Sequence, residues 1–349
     1  MKKENNISVS RRHFLGATSV IIGSAVLGGN KLWGMPAIIK HLNKPNSLIN
    51  GVQIGVITYS FRDMPDQSAE ATLQYVLDSG VSAIELMGDP AETFAGKPKN
   101  PVDFRSAFPL MRKRSEKKEL TEDEQKKLAE IDAQTKAYNA EVSQWRLTAS
   151  MDKFEKVRKM YNDAGVKIYA FKPNAFGMQN SDADIEYGMK AAKALGANQV
   201  TLEHPSNDAH TLKLGTIAQK YGIKVGYHGH EQQTPTFWDT ALVQSPANAL
   251  NIDLGHFVAA GNQNPLDFIK LKHDKIVSMH IKDRQTPAHG KGNVVWGQGD
   301  TPIAEVLTLM KNQKYSFPAT VELEYQIPEG SSSVAEVKKC VEYCRKSLS

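Results

Sequence analysis

Eight apolar segments recur between residues 53 and 325, and helical runs separate each from the next. They read QIGVITYSF (53–61), AIELMG (83–88), KIYAFKP (167–173), QVTLEHP (199–205), KVGYHGH (224–230), ALNIDLGHF (249–257), IVSMHIKDR (276–284) and ATVELEY (319–325). Strand–helix alternation of this kind predicts a parallel sheet, because parallel neighbours need a long crossover between them. Several helical runs end in Gly, as in YVLDSG, YNDAG and KALG, the residue that closes a helix with a left-handed turn. Eight such units over roughly 275 residues have the size and rhythm of a (β/α)8 TIM barrel. An open doubly wound sheet is the competing fold, but it would carry a glycine-rich turn after its first strand. TYSFRDMPDQ has no such turn.

One stretch breaks the rhythm. Residues 89–150 include RKRSEKKELTEDEQKKLAEIDAQTKAYNAEVSQW, densely charged and helix-forming in composition. It is expected to be a helical insertion on the loop after the second strand, over or beside the barrel mouth. Residues 51–349 would then form the barrel domain. The first fifty residues stand apart. SRRHFLGATSVIIGSAVLGG places Arg11 and Arg12 before a short apolar run rich in small residues, too short for a mature membrane span. Residues 1–50 also hold seven of the chain's 43 Lys/Arg and one of its 38 acidic residues, which leaves 36 basic against 37 acidic residues. A near-neutral remainder lacks the field that nucleic-acid binding needs. Two cysteines, Cys340 and Cys344, sit four apart on an expected terminal helix, where near-parallel Cβ vectors disfavour a disulfide.

Barrel enzymes carry their chemistry at the carboxyl ends of strands. Polar residues fall there repeatedly: Glu85; Glu203 and His204; His228 and His230; Asp253 and His256; His280, Lys282 and Asp283; Glu322 and Glu324. Strand side chains alternate faces, so His228 and His230 are expected on one face and Glu231 on the other. Carboxylates and imidazoles converging in a buried mouth must be paired or metal-bound. A mixed nitrogen–oxygen set suits Mn, Zn, Co or Fe rather than Ca. The loop HGKGNVVWGQGDTPI (289–303) reads as a flexible lip of the site, and Tyr59, Trp145, Trp238 and Trp296 are candidate stacking faces for a sugar.

NIDLGHF, MHIKDR and ATVELEY, read in order with helices between them, resemble the xylose-isomerase-like (AP-endonuclease family 2) barrels of the sugar phosphate isomerase/epimerase type. The resemblance spans about residues 52–346 apart from the insertion. It implies one divalent metal ion held by an acid on the fifth strand and by Asp, His and Glu on the next three, here Asp253, His280 and Glu322. At the fifth-strand position this chain carries His228 where many epimerases carry glutamate. The resemblance therefore implies a site of Glu203, Asp253, His280 and Glu322, with His228 as a further ligand or acid–base group. His228, Glu203 and Glu322 are the candidate catalytic residues, and Glu85, His230, His256, Lys282 and Glu324 the candidate substrate contacts. SRRHFL similarly resembles a twin-arginine (Tat) export signal, which implies the Tat translocase as a partner and a periplasmic or exported protein.

The implied activity is proton removal next to a carbonyl on a keto-sugar, inosose or keto-glycoside. Isomerisation or epimerisation would follow, or dehydration or elimination as in a lyase; the fifth-strand histidine leans toward the latter. Two other readings compete. An exported sugar-binding barrel would use the same polar mouth without turnover. An endonuclease IV-like phosphodiesterase would carry a D-x-H after the seventh strand, and DRQTPAHGK lacks it. A homo-oligomer is compatible with all three.

Overall fold

Hydrophobic patterning becomes a closed cylinder in the computed structural model, which describes residues 44–349. The twin-arginine segment lies outside the described residues. A short ribbon opens the fold: β1 (Leu48–Ile49) turns back through Asn50-Gly51 and pairs antiparallel with β2 (Val52–Ile57). Both turn residues have positive φ, 46° and 87°, which Asn-Gly accommodates better than other pairs. The barrel continues through β3 (Ala83–Met87), β4 (Lys167–Lys172), β5 (Gln199–Glu203), β6 (Lys224–His228), β7 (Asn248–Asp253), β8 (Ile276–Ile281) and β9 (Ala319–Val321). From β2 to β9 every neighbour is parallel, and β9 pairs with β2 to close the ring. The fold class expected from the alternation is the one observed.

Covering the strands are α1 (Ala69–Asp78), α2 (Gly88–Ala95), α3 (Phe104–Ser115), α4 (Glu122–Thr148), α5 (Met151–Asp163), α6 (Asp182–Leu195), α7 (Asp208–Tyr221), α8 (Asp239–Gln244), α9 (Leu254–Ala259), α10 (Pro265–Lys272), α11 (Ile303–Gln313) and α12 (Ser333–Ser347). None of these is long and apolar enough to cross a membrane. Cys340 and Cys344 are free and buried on α12.

The barrel interior is polar and hydrogen-bonded in layers rather than filled with aliphatics. Tyr169 Oη meets Thr320 Oγ1 at 2.6 Å, and Gln199 Nε2 donates to Ser278 Oγ at 2.7 Å. Gly55 is required beneath them, since a Cβ there would lie 2.8 Å from Tyr169 Oη. Each layer leaves its polar atoms satisfied, so the interior is a rigid base for the mouth above it.

The insertion comprises α3 and α4. Thr121 and Glu124 form a capping box that starts α4. Burial of Leu128, Ile131 and Val142 holds the helix down. Near its end, Arg146 Nη1 donates to Asp184 Oδ1 on α6 at 3.0 Å, and Ser143 Oγ donates to Asp184 Oδ2 at 3.0 Å.

Every expected strand ends before the segment read from the sequence does, and three of these ends bear on the site. β7 stops at Asp253, whose Oδ1 accepts the His256 N–H at 2.7 Å and starts α9. His256 therefore stands on a helix. β6 stops at His228 and leaves His230 in the following loop, and β9 stops at Val321 before Glu322.

Candidate metal centre

Four adjacent strands deliver four ligand-capable side chains to one point. His228 ends β6, Asp253 ends β7, His280 lies near the end of β8, and Glu322 follows β9. One atom from each lies within 4.8 Å of all the others, and all four residues are buried. The register makes this possible, because Asp253 is paired directly with His280 across β7 and β8. His228 Nε2 faces Asp253 Oδ2 at 3.8 Å, and His280 Nδ1 faces Glu322 Oε2 at 3.0 Å and Asp253 Oδ2 at 4.0 Å.

The outward nitrogens of both rings are engaged. Glu85, at the second layer down, is fully buried and accepts from His280 Nε2 at 2.9 Å, Thr201 Oγ1 at 2.6 Å and Asn251 Nδ2 at 3.3 Å. With its Nδ2 on Glu85 and on Ser278 Oγ, Asn251 must turn Oδ1 to His228 Nδ1, 2.8 Å away. His228 thus carries its proton on the outward side and presents a lone pair inward, the arrangement a metal ligand needs. His280 donates to Glu85 from Nε2 and to Glu322 from Nδ1, and its Nδ1 would serve an ion only on giving up that inward proton. Glu85 was expected to touch substrate. It lies beneath the site instead, and what it does is orient His280.

Electrostatics agree with a cation site. Burial pushes Asp253 up to about 7 despite Lys282 beside it. Burial also acts against ionised Glu322, but Lys282 and His280 hold it well below the usual carboxylate range. His280 is raised to about 10, its own burial being overcome by Glu85 and Glu322. Burial and then Lys172 lower His228 to about 3, keeping it neutral. Asp253 Oδ2 is buried and meets the Lys282 ammonium at 2.9 Å. A buried carboxylate oxygen needs a cation beside it, and Lys282 supplies one here. The donors present fit a divalent ion of the Mn, Zn, Co or Fe group.

Other expected site residues fall elsewhere. Glu203 is outside the four-residue group: it accepts from Lys172 Nζ at 3.0 Å and its other oxygen is 3.5 Å from His230 Nδ1. Lys172, on the neighbouring strand, claims it, and the ligand set is drawn from β6 onward. Partial burial would raise Glu203, yet its neighbours His228, Lys172 and His230 lower it to about 2. Lys282, expected to touch substrate, is 2% exposed, and its ammonium is spent on Asp253, Glu322 and Glu324 at 2.9, 2.8 and 2.7 Å. Glu324 is accordingly held by Lys282 and lies outside the four-residue set.

A second trio, His228, His230 and His256, also brings nitrogens within 4.8 Å of one another. His256 Nδ1 accepts from Arg284 Nη1, so its proton resides on Nε2, which is buried without a partner. His256 therefore offers a donor to the mouth. Arg284 is fixed in turn by Glu231 Oε1 at 2.7 Å. Of the candidate stacking residues, Trp238 and Trp296 are buried, Trp145 packs on Tyr187, and Tyr59 lies under Arg62.

The loop at 289–303 is anchored, contrary to the flexible lip expected. Asp283 Oδ2 accepts from the backbone N–H of Gly297, Gln298 and Gly299 at 2.7, 3.2 and 2.9 Å. Sequence reading had missed Asn251, Arg284 and the anchoring role of Asp283. Only Asn251 was discoverable, since it precedes Asp253 by two and so shares its face.

Fold and site together define a (β/α)8 barrel with a buried group of nitrogen and oxygen donors, a candidate metal centre, at the carboxyl ends of its strands. Residues 125–346 match the family described as Xylose isomerase-like TIM barrel, and the chain belongs to it. No sequence among the curated proteins matches this chain. Solved structures share the fold at low identity. The 3-keto-D-glucoside 4-epimerase from E. coli is 10% identical, with 84% of this chain and 99% of that one covered at a TM-score of 0.55. A probable 3-DHS dehydratase from Bacillus anthracis is 12% identical over 83% and 97%, also at 0.55. D-Psicose 3-epimerase from Clostridium cellulolyticum is 10% identical over 85% and 99%, at 0.53.

Proposed function

We propose that this chain is a divalent-metal-dependent enzyme acting on a carbohydrate that carries a carbonyl: a keto-sugar, inosose or keto-glycoside. The observation that carries the reading is the convergence of one atom each from His228, Asp253, His280 and Glu322 within 4.8 Å of one another, with each imidazole pinned from behind. His228, Asp253, His280 and Glu322 would hold one ion of Mn, Zn, Co or Fe. When bound, such an ion acts as a Lewis acid that makes the C–H next to a carbonyl more acidic. His230, exposed at the mouth and 3.5 Å from Glu203, is the residue placed to take and return that proton. His256 donates its Nε2–H to a substrate oxygen. Returning the proton on the other face or at the neighbouring carbon gives epimerisation or isomerisation; expelling a β-oxygen gives a lyase or dehydratase. Histidine at the position of a family glutamate supports the second outcome, since His228 is locked in the ligand set and leaves no opposed carboxylate pair.

Metal analysis followed by incubation of a keto-sugar panel in D₂O tests the reading. Carbon-bound deuterium should appear with the wild-type protein and vanish in Asp253→Asn and His280→Ala, which should also lose the metal. Full metal content in either variant would sink the assignment. One observation favours a competing reading: Lys282 already neutralises three carboxylates, as a metal-free sugar-binding barrel would require. Unchanged sugar affinity in metal-free protein, without exchange, would select it. Export by the Tat translocase to the periplasm or beyond is part of the proposal and points to an unphosphorylated substrate. Retention of an Arg11→Lys, Arg12→Lys double variant inside the cell, with wild type exported, is the expected result.

A further inference from the structure

Beside the metal centre, between the inserted helix α4 and the barrel mouth, lies a cavity of about 1160 Å³. Drug-sized ligands occupy pockets of roughly 300–1,000 Å³, so this space exceeds what one sugar ring at the metal centre would use. Glu203 links the two: it lines the cavity, and its Oε2 lies 3.5 Å from His230 Nδ1.

We infer that this chamber binds a second, uncharged sugar residue, so that the substrate is a glycoside whose reacting ring sits over the metal group. The inference rests on the function proposed above. Three features of the wall support it. First, the charges lining it are already paired: Lys97 with Glu92, Arg146 with Asp184, Lys172 with Glu203, and Asp132 with Arg114. Among the described residues only Lys136 on the wall lacks a carboxylate partner, which disfavours a phosphate or other anion. Second, the wall is rich in amides. The side chains of Asn139, Asn174 and Gln179 line it without a hydrogen-bond partner among the described residues, and amides offer both donor and acceptor to hydroxyl groups. Tyr138 adds an apolar face with a polar tip. Third, Arg146 on the same wall is buried, with Nε lacking any partner. An unsatisfied buried donor beside a polar cavity is a place for a ligand oxygen.

Calorimetric titration of the full chain with glucose and with maltose, cellobiose and trehalose tests this. At least one disaccharide should bind tenfold or more tightly than glucose. Asn139→Ala and Tyr138→Ala, both on a well-exposed helix, should each cut that disaccharide affinity five- to tenfold, the scale of one neutral hydrogen bond or ring contact. Failure of every disaccharide to bind more tightly than glucose would overturn the inference, as would unchanged disaccharide affinity in both variants. Because binding is read without turnover, the two proposals separate. A disaccharide preference that persists while wild type shows no deuterium exchange sinks the reaction and leaves the chamber; exchange without the preference does the reverse.

Discussion

Asn251 offers the sharpest test of how the candidate metal centre is built. It touches no ion-facing atom, yet its Oδ1 holds the proton on His228 Nδ1 at 2.8 Å and so keeps Nε2 free. Asn251→Leu nearly conserves volume and removes that acceptor. The buried N–H left behind costs about 1–3 kcal/mol. A neutral imidazole answers by moving its proton to Nε2, where it blocks ligation. Loss of an orienting partner of this kind lowers metal affinity about 10–100-fold, equivalent to about 1.4–2.8 kcal/mol. Asn251→Asp is the control. Its carboxylate still accepts from His228, but it also faces Glu85 Oε2, where the native amide donates across 3.3 Å. That variant should lose stability through like-charge repulsion while keeping metal affinity. Calorimetric titration with Mn²⁺ and Zn²⁺, alongside thermal unfolding, separates the two effects. Wild-type affinity in Asn251→Leu, or equal losses in both variants, would refute the argument that proton placement on His228 builds the site.

Two further predictions concern the frame around the site. Asp283→Ala removes a carboxylate oxygen that accepts three backbone N–H groups of the 289–303 loop, at a cost of about 3 kcal/mol. Limited proteolysis should then cut within 289–303, and unaltered protease resistance would contradict the anchoring. Arg146→Met leaves the buried Asp184 without its cation, and stability at neutral pH should fall by about 3 kcal/mol, the lower end for broken buried pairs because Ser143 and Ser181 still donate. Burial opposes ionisation of Asp184, but Ser181 and Arg146 lower it below its ordinary 3.8. Its folded-state value being depressed, its stabilisation is complete above 3.8 and is lost as pH falls through the folded value. Thermal melts between pH 7 and 3 should show a smaller acid-dependent loss in Arg146→Met than in wild type; equal losses would place the acid sensitivity elsewhere.

How much of this was legible in the sequence follows from the range of each interaction. Strand periodicity and the strand-end rule reach Asp253 and His280 directly, because both stand in regular strands whose neighbours are next in the chain. The period fails one residue past a strand end. His230 and His256 were read as strand residues, yet a loop and a helix capped by Asp253 carry them, and they reach the same mouth by a different route. The hydrogen bonds that orient the ligands are harder still to foresee. Glu85 meets His280 across 195 residues of sequence and Thr201 across 116, contacts that exist only once the cylinder has closed. Glu203 shows the limit from the other side. It is paired in register with His228 and is expected among the four ligands, with His228 as the further one; the structure reverses the two, because the lysine that ends β4 decides its direction. The charged insertion was legible as a helix and as an interruption. That it walls a chamber depends on one buried arginine near its last turn, which pins α4 to α6 and so turns a solvated helix into a boundary of the site.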